Sequence, residues 1–106
     1  MIRKFRGCAP RIDATAFIAE NAVVIGDVEI GAQASIWYNC VLRGDVNYIR
    51  VGARTNIQDG TVIHVSRHDP PTVIEHEVTV GHSATIHGCY IDGEAGAAPG
   101  PDAERA

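Results

Sequence analysis

No apolar run in the chain approaches the ~18–20 residues that cross a membrane. Met1 to Pro10 is polar and cationic and lacks the apolar stretch of a secretory signal. Membrane association is therefore not expected. Cysteine is sparse: Cys8, Cys40 and Cys89 make an odd set of 3 without C-x-x-C spacing. That excludes a disulfide framework and fits the reducing cytoplasm. Positive charge is in deficit, with 9 Lys plus Arg against 13 Asp plus Glu and a net charge of −4 when His is neutral. Phosphate-backbone binding needs a basic face, so nucleic acid is not an expected partner. At 106 residues the chain has room for one domain. Its 45% hydrophobic and 21% charged residues are an ordinary globular balance.

What is present is a repeat of six residues. Apolar residues recur at Ile12, Ile18, Val24, Ile30, Ile36 and Leu42. The fourth residue after each is small or apolar: Ala16, Ala22, Val28, Ala34, Cys40 and Val46. A three-residue shift around Tyr48 resets the phase to Val51, Ile57 and Ile63. A longer break, Arg67 to Thr72, resets it to Ile74, Val80 and Ile86. The partners there are Thr55, Thr61, Arg67, Val78, Ala84 and Tyr90, with Arg67 the clear misfit.

Six is a multiple of two, so each apolar residue returns to the same face of an extended strand. A 3.6-residue helix would carry positions i and i+6 to different faces. Short strands with a corner every six residues form a coil, and three strands make a triangular rung whose neighbours stack ~4.8 Å apart. Gly26, Gly31, Gly52 and Gly81 fall near corners, where a positive φ costs glycine nothing. A β-sandwich would need regular hairpin signals. Only Asp59-Gly60 occurs among the repeats, and Asp92-Gly93 just after them.

The expectation is an all-β parallel β-helix of about four rungs: Ile12–Glu29, Ile30–Asn47, Val51–His68 and Ile74–Ile91. Pro70-Pro71 cannot donate backbone hydrogen bonds and should loop out between the last two. The repeat domain is expected over residues 1–91. The remainder, 92–106, has no Val, Ile, Leu or aromatic residue and reads as a low-complexity, disordered tail.

Stacking turns spacing into columns. His64 and His87 each follow an inward residue of the third side, Ile63 and Ile86, one rung apart, with Arg43 beneath. Two outward imidazoles that close can share a metal ion. His82 falls over Asp59 on the second side, so one chain does not easily gather all three histidines. A threefold trimer would bring a neighbour's His82 to the pair and would cover outward apolar groups such as Trp37. His68 and His76 sit beside loops and charges and read as surface residues.

Several separated blocks occur in order: Arg43-Gly44-Asp45, Thr55-Asn56-Ile57-Gln58-Asp59-Gly60, His64, Gly81-His82 and His87-Gly88-Cys89. Together, from about Gly7 to Ile91, they resemble the γ-class carbonic anhydrase family. The resemblance implies a left-handed β-helix, a homotrimer, and Zn²⁺ (or Fe²⁺ or Co²⁺) held by His64 and His87 of one chain with His82 of its neighbour. It implies reversible hydration of CO2 to bicarbonate by a metal-bound hydroxide. It makes Gln58 and Asn56 the polar groups near the reacting solvent, and Arg43, Asp45 and Asp59 an intersubunit Arg–Asp network.

The chain also departs from the family. Val46 follows Arg-Gly-Asp, and the loop after His64 carries Ser66 and Arg67, with Asp69 its nearest carboxylate. Efficient members carry proton-moving acidic residues there. The resemblance ends abruptly near Ile91, which reads as a truncated coding sequence. The competing functions are a hexapeptide-repeat acyltransferase and a non-catalytic structural subunit.

Overall fold

A computed structural model describes residues 1–93. The expectation for the tail lies outside the described residues, apart from Asp92 and Gly93. Among the described residues twelve strands appear and every paired strand is parallel: β1 Ile2–Arg3, β2 Arg11–Ile12, β3 Phe17–Ile18, β4 Val23–Ile30, β5 Ser35–Ile36, β6 Val41–Val51, β7 Asn56–Ile57, β8 Val62–His64, β9 Thr72–Ile74, β10 Thr79–Val80, β11 Thr85–His87 and β12 Tyr90–Ile91. The result is a β-solenoid of about four turns. Among the described residues no helix is long and apolar enough to cross a membrane.

The three sides of the coil are legible in the pairing. One side stacks β2, the end of β4, the end of β6, β9 and β12, and aligns Ile12, Ile30, Val51, Ile74 and Ile91. The second stacks β3, β5, β7 and β10 and aligns Ile18, Ile36, Ile57 and Val80. The third stacks the start of β4, the start of β6, β8 and β11, aligning Val24, Leu42, Ile63 and Ile86. These residues, from Val24 onward, are buried in one apolar column. Alternation along each strand follows: the residue before or after each buried one faces out.

The same periodicity did not reveal how the corners are made. After Ile30, Val51 and Ile74 on the first side, and Ile36, Ile57 and Val80 on the second, the third residue adopts a left-handed backbone: Gln33, Arg54 and Glu77 at φ 58, 57 and 60°, Asn39 and Ser83 at 64 and 58°, and Gly60 at 76°. Only Asn39 and Gly60 advertise that conformation by residue type. Of the glycines expected to supply positive φ, Gly26 alone does so, at 82°. Gly31 and Gly52 are required for space instead. A Cβ on Gly31 would lie 2.8 Å from the Ala53 nitrogen, and one on Gly52 would lie 2.5 Å from the Glu75 carbonyl carbon.

The phase shifts also have a structural cause. Gly26 pairs with Gly44, yet Val28 pairs with Ile49, so residues 45–48 bulge from the corner after the third side. Ile49 then pairs with Thr72, and the loop through Pro70 and Pro71 leaves at the same corner. Val46 is therefore not the corner residue its spacing suggested. It is 37% exposed, and Ile49, fully buried, fills the place beside Val28. Tyr90, in the corresponding position of the last rung, is exposed as well. A further strand, β1, extends the third side below β4 by pairing Ile2 with Val24. The short, cationic N-terminal sequence carried no repeat to announce it.

The excursion corner is braced by charge. Asp27 Oδ1 accepts from Arg11 Nη2 at 3.0 Å and from Arg50 Nη1 at 3.1 Å, and Arg50 Nε also meets Glu29 at 3.3 Å. Partial burial of Asp27 opposes ionisation, but the Arg11 hydrogen bond and the Arg50 charge outweigh it and hold the carboxyl below its usual range. A depressed carboxylate contributes stability above the unfolded-state pKa and loses it as pH falls through the folded one. Asp27→Asn is expected to cost about 0.5–1 kcal/mol at pH 7, given the exposure of the pair, and almost nothing near pH 2. Thermal melts of both chains across that range check it. An equal cost at both ends would remove ion pairing as the cause.

Candidate metal centre

Ile63 and Ile86 point into the core, so His64 and His87 stand side by side on the outer face of the third side. They are in direct parallel register, and Arg43 is the register partner of His64 below. The two rings stack with centroids 4.4 Å apart and planes 1° apart. Partial burial, then the neighbouring His87 and the Arg43 charge, lower the pKa of His64. Its imidazole is therefore neutral near pH 7, the form in which histidine offers a lone pair to a metal.

The loop after β8 closes over His87. Ser66 Oγ lies 2.6 Å from His87 Nε2, and Asp69 Oδ2 lies 3.6 Å from the same nitrogen. Asn47 Nδ2 donates to the backbone carbonyls of Ser66 and Asp69 at 3.3 and 2.9 Å. The Gly88 N–H donates to Thr72 Oγ1 at 2.8 Å. Gly88 itself, at φ 55°, passes so close that an added Cβ would meet the Pro70 carbonyl oxygen at 3.1 Å. The loop is thus held from the rung below and the rung above.

His82 lies elsewhere. It follows β10 at the corner after the second side, exposed, above Asp59, where the Ser83 N–H donates to the Asp59 carbonyl at 2.8 Å. Among the described residues no three His, Cys, Asp or Glu side chains gather closely enough to hold a metal. His64 and His87 are brought together within the chain; His82 is not brought to them.

Asn56 and Gln58 flank the inward Ile57, so both project from the outer face of the second side. Asn56 Oδ1 is engaged: it accepts from Trp37 Nε1 at 2.9 Å and from the Ser35 hydroxyl. Trp37 packs against the exposed Phe17, with ring centroids 4.9 Å apart, and against the exposed Tyr38 at 6.3 Å. Beneath Gln58, the buried Cys40 thiol donates to the Gln58 backbone carbonyl at 3.1 Å. Arg43 Nε pairs with Asp45 Oδ2 at 3.2 Å, and Asp45 Oδ1 accepts the Val46 N–H at 2.7 Å. Asp59 does not join that pair within one chain; it lies on the second side below His82. The sequence pattern could not reveal the hold of Ser66 and Asp69 on His87, because those partners belong to a loop that leaves the repeat. Their place immediately after His64 was the only signal.

No family model matches the chain. The chain is 53% identical over 91 residues to "Gamma carbonic anhydrase 1, mitochondrial" of Arabidopsis thaliana, an overlap of 81% of this chain and 33% of that one. It is 45% identical over 91 residues to "Carbonic anhydrase" of Geobacillus kaustophilus, covering 86% and 50% of the two chains. Among solved structures, a hexapeptide transferase family protein from Anaplasma phagocytophilum superposes with a TM-score of 0.80 at 53% identity, covering 85% of this chain and 52% of that one. The chain thus spans between a third and about half of the length of the relatives it matches.

Proposed function

We propose, for a chain whose patterned part is homologous to the γ-class carbonic anhydrases, a metal-dependent hydration of CO2 to bicarbonate at an interface between copies in a homotrimer. The registered pair of His64 and His87, outward and with His64 kept neutral, carries this reading. The donor chemistry fits a divalent ion: two imidazoles on one outer face, with His82 exposed on a different side and available to a neighbouring copy. His64 and His87 of one chain and His82 of the next would hold Zn²⁺, Fe²⁺ or Co²⁺. A bound ion of this kind supplies Lewis-acid activation of water at neutral pH.

The chain's own residues have distinct tasks in this reading. Gln58 shares the second side with His82 and would travel with it to the neighbour's histidine pair, where its amide orients solvent or a product oxygen. Asn56 offers only its amide N–H2, since its oxygen holds Trp37 and Ser35; its task is to fix the Trp37 ring. Phe17, Trp37 and Tyr38 give the second side an apolar surface for a partner to cover. The Arg43–Asp45 pair sits below His64 at the edge that would meet Asp59 of a neighbour. Cys8, Cys40 and Cys89 form no disulfide and suit a reducing compartment, read here as the cytoplasm; the plant relative's name describes that protein as mitochondrial.

A hexapeptide-repeat acyltransferase is the second reading, favoured by the description of the Anaplasma neighbour. The two separate cleanly. The metal-loaded chain is expected to hydrate CO2 in stopped-flow measurements and to lose that activity on chelation. Acetyl-coenzyme A turnover that survives chelation, with no CO2 hydration, would reverse the choice. Stoichiometric metal with neither activity would leave a structural subunit.

A further inference from the structure

The loop between β8 and β9 makes contacts that the proposed reaction does not use. Ser66 Oγ rests 2.6 Å from Nε2 of His87. Nε2 is the ring nitrogen farther from the backbone, and hence the one that a donor from another copy can approach together with an ion. A hydroxyl at hydrogen-bond distance from that nitrogen occupies the direction of its lone pair or takes up its N–H. Either way, the nitrogen cannot ligate until the contact breaks.

We propose that Ser66 is a positioning residue that competes with the metal for His87, so that the loop sets how tightly the centre binds its ion. The inference rests on the reading of His64, His82 and His87 as ligands. The loop is built for the contact. Asn47 grips the carbonyls of Ser66 and Asp69 from the rung below, and Gly88 abuts Pro70 and Asp69 from the rung above. Ser66 is therefore delivered to His87 by backbone anchors on both sides. Ser66 is half-buried, which limits competition from bulk water. Asp69 approaches the same nitrogen at 3.6 Å from an exposed position and adds negative charge without occupying the nitrogen at bonding distance.

The test uses the full chain, Zn²⁺ alone as probe, and chelator competition to read affinity. Removing one hydrogen bond that the ion must displace is worth about tenfold in affinity. Ser66→Ala is expected to bind Zn²⁺ about tenfold more tightly than the parent, and Ser66→Thr, which keeps the hydroxyl, to bind like the parent. In the metal-free chain, nitrogen NMR should show the His87 Nε2 resonance moving in Ser66→Ala and staying in Ser66→Thr. Unchanged or weaker Zn²⁺ binding by Ser66→Ala, with the parent still loading metal, overturns the competition and leaves the ligand reading intact. Failure of both parent and variant to bind Zn²⁺ overturns the ligand reading, and the competition falls with it.

Discussion

Gly26→Ala is expected to be among the most damaging single-atom additions to this chain, destabilising it by about 2–5 kcal/mol. Two costs coincide at Gly26. Its φ of 82° is a conformation that an L-residue adopts at ~1–2 kcal/mol. The added Cβ would also drive into the Gly44 carbonyl oxygen, lie 3.0 Å from its carbon and press on Phe5. Gly26 and Gly44 are register partners where two rungs pass before the bulge, so neither backbone can retreat without breaking β4–β6 pairing. Gly60 supplies the comparison. It has a similar φ of 76°, but its nearest neighbour, Ser83 Oγ, would be 3.4 Å from an added Cβ. Gly60→Ala should show the backbone cost alone, about 1–2 kcal/mol. Urea unfolding of the two variants beside the parent reads the difference. Equal losses would mean that close approach of the rungs is not why Gly26 is glycine. A loss of this size consumes a large part of the ~5–15 kcal/mol that holds a typical domain folded.

His82→Ala should have the opposite profile: little effect on the fold and a complete effect on metal. His82 is exposed at a corner, so its truncation should change metal-free stability by no more than about 0.5 kcal/mol. If it is the third ligand, bound metal should fall from stoichiometric to undetectable by elemental analysis, because two imidazoles alone leave the ion half supplied. Mixing is the sharper measurement. A His82→Ala chain keeps His64 and His87; a His64→Ala chain keeps His82. Neither should bind metal alone. Unfolded and refolded together in equal amounts, they should recover about a quarter of the sites, the share of interfaces at which an intact pair meets an intact His82 in a randomly mixed trimer. No recovery on mixing, or full metal in His82→Ala, would rule out a centre shared between copies.

The coil itself was readable because its signal is redundant. Ile30, Val51 and Ile74 must all point inward, and a six-residue period leaves an extended chain no other way to bury them. The histidine column followed from the same arithmetic, since a residue that directly follows an inward one must face out. His64 over Arg43 and His87 over His64 needed only correct counting through two interruptions. The corners resisted reading for the converse reason. Gln33, Arg54, Glu77 and Ser83 hold left-handed backbones that their side chains do not favour, and stacked rungs impose them through hydrogen bonds such as the Arg54 N–H to the Ala32 carbonyl at 2.8 Å and the Glu77 N–H to the Ala53 carbonyl at 2.9 Å. Val46 was misplaced because spacing alone cannot tell a corner residue from one lifted out on a bulge; Ile49, three residues on, was the better hydrophobe for the enclosed position.

Periodicity alone thus dictates the parallel coil, its inward column and the rank of outward histidines, because each is a consequence of strand alternation and needs no distant partner. Three matters depend on the assembled chain. Gly31 and Gly52 prove to be spacers for a neighbouring rung, Asn56 is bound to Trp37 and Ser35, and Ser66 and Asp69 close on His87. Each is a contact between residues far apart in the chain, created only when rungs stack and loops fold back across them. A one-dimensional pattern carries the direction of a side chain, whereas its neighbours are set by the register of the stack.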